Sequence, residues 1–452
     1  MSALRPGMRV HVVGVGGAGM SGLAMLLSEF GAVVSGSDLA ESAVFDDLRA
    51  RRVTVFAGHD PAHAAGAEVV LWSPAVGADN VELVAARQAG ARLVTRAGAF
   101  EELSSLKRVV GFSGTHGKTT ATSMMVQVSL AAGRDDAWLL GAPVLGVGAQ
   151  GHWGDGDLLM EIDESYGTFG EMHPFALGIT NVEADHLDFY GSLDALELAF
   201  ANLVERTSGP VVAWADDPGA QRVVGARAGA VLVGSIDAAT WRVSDVALAR
   251  RGAHFTLSGP SELEIELRVT GALNVANASV VAVLAHEVGI ADEAIVRGLS
   301  NFMGAPRRYQ YRGVWRGADV YEDYAHLPGE IAATIAATQA AGYERITVVF
   351  QPHRVTRTLA LVDHFAPAFS GARHVVVTDV YRAGEANPNG VTGELIANAL
   401  LGFDPSLDTL YCADLGLVGE LLGHLVDDSD VILVLGAGDV GSIIATLPGG
   451  LS

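Results

Sequence analysis

The sequence has only one cysteine, Cys412, in 452 residues. A single thiol cannot form an intramolecular disulfide, and such a composition is typical of a reducing compartment. The first residues, "MSALRPGMRVHVV", lack the basic region, apolar stretch and cleavage site of a secretory signal. We therefore expect no signal peptide and a cytoplasmic location.

Basic residues are also scarce, with 29 Lys and Arg against 52 Asp and Glu and a formal net charge of −23. A surface this acidic repels nucleic acid and anionic membranes, so neither is an expected partner. No window holds 18 uninterrupted apolar residues, which argues against membrane insertion. In such a chain, an anionic substrate needs local Arg, Lys, metal or backbone N–H groups, and these positions are therefore informative.

What the sequence does contain is material for large cores, because 50% of the residues are hydrophobic and only 18% are charged. Short β-branched runs alternate with helix-like stretches from residue 9 to 106, the rhythm of a parallel α/β sheet. A second unit starts at "RVVGFSG" and includes "ELEIELRV", whose period of two predicts a half-buried antiparallel strand. A third starts near "GADVYEDYAH". The sequence predicts three α/β domains: 1–106, 107–305 and 306–452.

The sharpest motif is "GFSGTHGKTTATSMM", which lies between a predicted strand and a predicted helix. Glycines let backbone N–H groups close around phosphate oxygens, and the helix N-terminus adds partial positive charge. Lys118 can reach the β- and γ-phosphates, and the Thr119 hydroxyl can bind Mg²⁺. Phe112 stands at the first glycine of the usual pattern. We predict nucleoside triphosphate binding; an ordinary glycine-rich turn is the alternative.

Acidic residues follow two further apolar runs, in "MEIDESYGTF" and "ITNVEADHLDFYG". The carboxyl ends of parallel strands face one crevice, so Glu161 and His186 could reach a metal beside the γ-phosphate. A carboxylate suits Mg²⁺, whereas an imidazole ligand is less usual. Other acids crowd the same segments: Asp163, Glu164, Asp185 and Asp188. Several acids around an anionic substrate would repel it unless a divalent cation lies between them. The alternative is that these side chains are solvated or serve only in packing.

Glycine loops also occur near both ends of the chain. Gly14, Gly16 and Gly19, with Asp38 at the end of the next apolar run, match the signature of a dinucleotide-binding fold. The same spacing recurs in "GAGDVG", at residues 436–441. The spacing therefore indicates a tight strand-to-helix turn, and a nicotinamide-dependent oxidoreductase is only an alternative hypothesis.

Positive groups gather in the third unit despite the acidic total. "FQPHRVTRT" follows an apolar run and places His353, Arg354 and Arg357 in one loop. Arginine is suited to two-point contacts with carboxylate or phosphate, although a solvated helix start would show the same pattern. "EDYAHLPGE" ends another predicted strand and offers Asp323 and His326.

Taken together, these segments resemble the Mur ligase family along nearly the whole chain, in order. "GTHGKTT", "EADHLD" and "QPHRVTRT" are specific when they occur together. The family couples ATP hydrolysis to amide bond formation on a UDP-linked muramic acid. The resemblance implies UDP-N-acetylmuramate and L-alanine as substrates, ATP and two Mg²⁺ ions as cofactors, and a monomer or homodimer.

The resemblance also implies roles for individual residues. The ATP phosphates would be bound by Gly114, Thr115, His116, Gly117, Lys118, Thr119 and Thr120. Thr119 would bind the first Mg²⁺, and Glu161 with His186 the second. Other nucleotide contacts would be Asn274 and Asn277 at the adenine, and Arg308 and Asp323 in the third domain. The UDP-sugar would contact Gly16, Gly17, Ala18, Gly19, Met20, Ser21, Gly22, Asp38 and Ser73.

In the implied mechanism, the lactyl carboxylate attacks the γ-phosphate, and the amine of alanine then attacks the acyl phosphate. His353, Arg354 and Arg357 would close over the carboxylate and the amino acid, with His326 or an acid of "EIDES" as general base. Three positions depart from the family pattern: Leu273, Leu327 and Tyr166. They leave the identity of the amino acid open. A ligase of the same family that recycles a whole peptide is one alternative, and a binding protein without catalysis is another.

Overall fold

The computed structural model describes residues 4–73, 75–170, 172–225, 227–426 and 430–452. It contains three β-sheets with helices between their strands. The predicted α/β fold class, with one dinucleotide-type sheet at each end of the chain, is confirmed. Within the described residues, no helix combines the length and apolar character needed to cross a membrane.

The first sheet has five parallel strands in the order β3-β2-β1-β4-β5. Its strands are β1 (Arg9–Val13), β2 (Val33–Asp38), β3 (Thr54–Ala57), β4 (Val69–Trp72) and β5 (Arg92–Thr95). Its helices are α1 (Ala18–Glu29), α2 (Val44–Ala50), α3 (Val81–Gln88) and α4 (Arg96–Leu106). The order turns back beside β1, so the glycine loop after β1 lies at the switch point where such sheets bind ligands.

The second sheet has ten strands in the order β15-β14-β13-β12-β11-β10-β6-β9-β7-β8. The strands are β6 (Val109–Ser113), β7 (Ala137–Leu139), β8 (Gly151–His152), β9 (Leu158–Glu161), β10 (Ala176–Ile179), β11 (Val211–Trp214), β12 (Val231–Gly234), β13 (Trp241–Ala249), β14 (Gly252–Ser258) and β15 (Glu262–Leu267). The helices are α5 (Lys118–Ala131), α6 (Leu187–Tyr190), α7 (Leu193–Arg206), α8 (Pro218–Val224), α9 (Ala272–Glu287) and α10 (Asp292–Asn301). Burial alternates along β15, as its sequence period predicts.

The third sheet has six strands in the order β16-β17-β21-β18-β19-β20, parallel except for the β16–β17 pair. The strands are β16 (Gln310–Trp315), β17 (Ala318–Asp323), β18 (Ile346–Phe350), β19 (His374–Thr378), β20 (Asp408–Cys412) and β21 (Val431–Leu435). The helices are α11 (Pro328–Ala340), α12 (Val355–Ala368), α13 (Glu394–Phe403) and α14 (Leu415–Leu425). The second glycine loop follows β21 and leads into a 3-10 helix, Val440–Thr446.

The chain divides into two compact units. One comprises Met1–Ala247, His254–Arg268 and Leu273–Met303, and the other Leu248–Ala253, Val269–Ala272 and Gly304–Ser452. The first unit holds the first sheet and most of the second, and the other unit holds the third sheet.

Helix α1 joins the first two sheets through very close packing. A Cβ atom on Gly151 of β8 would overlap the carbonyl oxygen of Gly22, so a side chain at position 151 does not fit. The amide of Gln150 donates to the hydroxyl of Ser21, which is fully buried. The first glycine loop and the phosphate loop are therefore held in one compact unit.

Candidate functional site

The phosphate loop connects β6 to α5, as predicted, and two of its glycines have the left-handed backbone that favours glycine. Gly114 has φ +138° and Gly117, the N-cap of α5, has φ +87°. The Thr115 N–H donates to Asn181 O and the His116 N–H to Asn181 Oδ1, both at 2.9 Å. Asn181 therefore accepts hydrogen bonds from two of the loop N–H groups, which fixes the conformation of the loop.

Lys118 is held in place by four contacts. Its ammonium donates to Gly114 O at 2.6 Å and Thr115 O at 3.1 Å, and to both carboxylate oxygens of Glu164 at 2.8 and 3.0 Å. The Glu164 side chain is only 1% exposed. Burial raises the pKa of Glu164, and the charge of Lys118 opposes that shift. Glu164 therefore acts as a buried counter-ion that holds the lysine at the loop.

Glu161 faces the first turn of α5. It accepts a hydrogen bond from the Thr119 hydroxyl at 2.8 Å and another from the Gly141 N–H. Burial raises the pKa of Glu161, opposed by these two hydrogen bonds. Thr119 and Glu161, both predicted metal ligands, are thus direct neighbours.

His186 lies with a different set of acids. Its Nε2 is 3.1 Å from the Ser165 hydroxyl, 3.8 Å from Asp185 Oδ2 and 3.9 Å from Glu164 Oε1. One ligand atom each from Glu164, Asp185 and His186 lies within 4.8 Å of the others, a spacing that could hold a cation. The structure therefore pairs Thr119 with Glu161, and His186 with Glu164 and Asp185.

The first glycine loop is fixed by Asp38, at the end of β2. The Gly16 N–H donates to Asp38 Oδ2 at 2.8 Å, and the Leu39 N–H donates to Oδ1 at 2.7 Å. A Cβ atom on Gly14 would lie 3.2 Å from the Cβ of Ser73, which brings that serine to the loop. Asp38, which the motif includes, and Ser73, which the resemblance implies, therefore both adjoin the glycine loop.

The remaining predicted residues of this loop belong to α1. Met20 and Ser21 are buried, and the Ser21 hydroxyl donates to Gly17 O at 3.0 Å. Gly22 packs against the segment Leu139–Leu140 and Gln150. These three residues secure the helix, while Gly17 and Gly19 lie at its N-terminus. The side chains of Ala18, Tyr166 and Asp188 lie outside the described part of the structure.

In the other unit, Asp323 ends β17 and fixes the "RRY" turn. Its carboxylate accepts the Tyr309 N–H at 2.5 Å and the Ala325 N–H at 2.7 Å. Burial raises the pKa of Asp323, opposed by these two hydrogen bonds. The guanidinium of Arg308 lies 5.1 Å from the centre of the Tyr324 ring.

Two histidines and an arginine meet at the carboxyl edge of the third sheet. The rings of His326 and His353 are 5.5 Å apart, and Arg357 NH1 is 3.3 Å from His353 Nδ1. His353 also stacks on Tyr381. Arg354, the N-cap of α12, has the uncommon φ of +69° and is exposed. "QPHR" and "DYAH", which are separate in the sequence, therefore form one cluster.

Burial disfavours the charged form of both histidines. Burial, followed by the neighbouring His326, Arg357 and Arg354, lowers the pKa of His353 to about 4. Burial also lowers the pKa of His326, opposed by Glu330. A neutral imidazole can accept a proton, which fits the implied role of His326 as a base.

The lowered pKa of His353 predicts a pH dependence of stability. Between pH 6.5, its ordinary value, and about 4, the unfolded chain binds more protons at this site than the folded chain. The free energy of unfolding should therefore fall as the pH drops through this interval. Chemical denaturation at several pH values should show a shallower fall for His353→Asn than for the wild type.

The exposed His364, in the helix α12 that follows His353, supplies the matched control. His364→Asn should keep the wild-type slope. Equal slopes for all three proteins would contradict the lowered pKa of His353.

The sequence predicts the phosphate loop and the acids near it, but not which acid contacts which residue of the loop. Glu164 was only one of several nearby acids, and nothing in "EIDES" shows which carboxylate reaches Lys118. Asn181 lies two residues after the apolar strand β10, in "GITNV", and this position beyond a strand end is the signal in the sequence. Asn277, assigned to the adenine by resemblance, also touches the phosphate loop, because a Cβ on Gly117 would lie 3.0 Å from its Cγ.

Comparison with known proteins agrees with this architecture. Residues 9–108 match "Mur ligase family, catalytic domain", residues 159–285 "Mur ligase middle domain", and residues 307–438 "Mur ligase, glutamate ligase domain". A UDP-N-acetylmuramate–L-alanine ligase of Burkholderia ambifaria is 37% identical, covering 97% of both chains. One of Halorhodospira halophila is 39% identical, covering 98% of this chain and 94% of its own.

Solved structures show the same similarity. The UDP-N-acetylmuramate–alanine ligase of Thermotoga maritima superposes with a TM-score of 0.83 at 29% identity, covering 96% of this chain and 97% of its own. A murein peptide ligase of Psychrobacter arcticus, at 22% identity and a TM-score of 0.70, shares the fold.

A parallel sheet with a phosphate loop and acids at its carboxyl edge defines a nucleotide-binding α/β protein. Full-length identity of 37–39% to curated members then identifies the family. The chain belongs to the Mur ligase family.

Proposed function

We propose that the protein is an ATP-dependent ligase that joins L-alanine to the lactyl carboxylate of UDP-N-acetylmuramate, releasing ADP and phosphate. The observation that carries this proposal is the phosphate loop with Lys118 against buried acids, in a chain similar over its whole length to ligases of that name. We place the reaction in the cytoplasm, as the single cysteine suggests. The three domains are 1–106 for the UDP-sugar, 107–305 for ATP and 306–452 for closure.

The chemistry begins with a poor electrophile. A carboxylate resists attack by an amine, so a carboxylate oxygen first bonds to the γ-phosphorus while the oxygen bridging to ADP leaves. The amine of alanine then attacks the acyl carbon, loses a proton, and phosphate leaves. Lys118 is positioned to exchange Glu164 for a γ-phosphate oxygen, which would stabilise the charge in transfer.

The acids of the site fit divalent cations. Carboxylate and hydroxyl oxygens suit Mg²⁺, and Thr119 with Glu161 would hold one ion. Glu164, Asp185 and His186 would hold a second ion, which makes His186 the less usual ligand of the set. When bound, such ions neutralise phosphate charge and align the reacting oxygens.

The compact unit that holds the third sheet would supply the groups that the amino acid requires. Arg354 and Arg357 offer guanidinium groups for its carboxylate, and neutral His326 offers an acceptor for the ammonium proton. Leu327, at the N-cap of α11, is apolar where the family pattern has histidine, and a small apolar side chain such as that of alanine is compatible with it.

The amino acid that the enzyme accepts tests whether it is an alanine-adding ligase. With ATP, Mg²⁺ and UDP-N-acetylmuramate, phosphate release should require L-alanine and be slow with the tripeptide L-alanyl-γ-D-glutamyl-meso-diaminopimelate. Phosphate release with the tripeptide and not with L-alanine would instead identify a recycling ligase. The comparisons give no support to the oxidoreductase hypothesis, under which NAD and not ATP would stabilise the protein in a thermal shift assay.

A further inference from the structure

Arg96, the first residue of α4, lies between the first glycine loop and the acids of the ATP site. Its NH2 group is 3.2 Å from Asp163 Oδ2. A Cβ atom on Gly19, in the first turn of α1, would lie 3.4 Å from its NH1 group. The guanidinium therefore donates to Asp163 and lies close to the first turn of α1, within one compact unit.

Besides its contact with Asp163, this arginine faces the Phe100 ring at 5.9 Å and has a second positive group beside it. Its NH1 group lies beside the N-terminus of α1, which carries partial positive charge of its own. Two positive groups side by side are stabilised by an anion that contacts both. Among the described residues, the buried Nε atom of Arg96 has no hydrogen-bond acceptor, although the side chain is only 23% exposed.

Asp163 satisfies Arg96 only in part. Its other oxygen, Oδ1, accepts hydrogen bonds from the N–H and the hydroxyl of Ser165 at 3.2 and 2.9 Å. A single contact to Arg96 at 3.2 Å remains, rather than the two parallel hydrogen bonds that a guanidinium and a carboxylate can form. Donor capacity is therefore left for a further anion.

We propose that Arg96 binds the diphosphate of the nucleotide-sugar substrate, together with the N-terminus of α1. The inference rests on the proposed function, because it assumes that the first glycine loop receives that substrate. A planar guanidinium matches two phosphate oxygens, and no other residue type presents the same pair of donors. Asp163 is its partner when no substrate is bound.

The experiment compares Arg96→Met with Arg92→Met by titration calorimetry without turnover. Arg92 is four residues earlier, is 40% exposed and pairs with Glu102, so its variant is a control for loss of one positive charge. Each protein is titrated with UDP, UDP-N-acetylglucosamine, UDP-N-acetylmuramate and ATP. UDP and UDP-N-acetylglucosamine carry the diphosphate but not the lactyl carboxylate.

For Arg96→Met, we expect Kd to rise by the same factor for all three UDP ligands, roughly 10- to 100-fold. Arg92→Met should bind them as the wild type does, and both variants should bind ATP normally, which also reports that this unit is folded. Arg96→Lys, which keeps the charge but not the planar pair of donors, should be intermediate and serves if the methionine variant does not fold.

Equal UDP affinity in Arg96→Met and Arg92→Met would overturn the proposal and leave Arg96 as a structural ion pair. Weaker binding of UDP-N-acetylmuramate alone would also overturn it, because the contact would then be to the lactyl carboxylate. A wild-type protein that binds ATP but none of the UDP ligands would refute the proposed function itself.

Discussion

Replacing Lys118 with methionine is expected to lower kcat by at least about 10²- to 10³-fold, the usual effect of removing one charge-stabilising donor from a transition state. The ammonium is the group at the phosphate loop that can exchange a buried carboxylate for the γ-phosphate. Methionine keeps the unbranched shape, and its loss of positive charge removes the group that opposes the raised pKa of the buried Glu164. Steady-state phosphate release measures the effect.

The chain offers a close control, since Lys107 is its other lysine. Lys107 donates to Gly156 O at 2.9 Å and lies 4.6 Å from the centre of the Trp153 ring. Lys107→Met should keep kcat within about a factor of two, in line with the small effects usual for surface substitutions. Turnover that survived in Lys118→Met would contradict the role given to the phosphate loop.

Gly117→Ala is the second substitution with a large expected effect. Position 117 has φ +87°, which costs an alanine about 1–2 kcal/mol. Its Cβ would also lie 3.0 Å from the Asn277 Cγ, with Asn277 buried against the loop. Either the Asn277 side chain or the N-terminus of α5 must shift to relieve that contact, and both border the phosphate loop. We therefore expect ATP to bind about 10- to 100-fold more weakly, a loss of about 1.4–2.8 kcal/mol.

Gly133, just beyond the other end of α5, separates the two causes. It has φ +69°, but an added Cβ would meet nothing within 4 Å. Gly133→Ala should therefore lose about 1–2 kcal/mol of stability, from backbone strain alone, and bind ATP normally. Equal ATP affinity for the two variants, measured by calorimetry, would show that Asn277 does not constrain the loop.

The sequence predicts most of this fold because its signals are local. The alternation of β-branched runs and helices indicates parallel sheets, and glycine between a strand and a helix marks each loop. The period of two in "ELEIELRV" likewise predicts the half-buried β15, since one face of that strand packs on a core.

The pairing of side chains in the site could not be predicted, because it depends on contacts between distant segments. "EIDES" supplies three acids in four positions, and only the fold shows that Glu164 meets Lys118 while Glu161 meets Thr119. Arg96 carries no motif, and its neighbours, Asp163 and the first turn of α1, lie far from it in the sequence. Long-range geometry of this kind leaves no periodic trace in the chain.

The most direct test of the proposed reaction follows an oxygen atom. UDP-N-acetylmuramate labelled with ¹⁸O in its lactyl carboxylate is turned over with ATP, Mg²⁺ and L-alanine, and the phosphate is examined by ³¹P NMR. If the carboxylate attacks the γ-phosphate, one labelled oxygen should appear in each phosphate released. Phosphate free of label, formed together with the amide product, would contradict activation of the carboxylate by ATP.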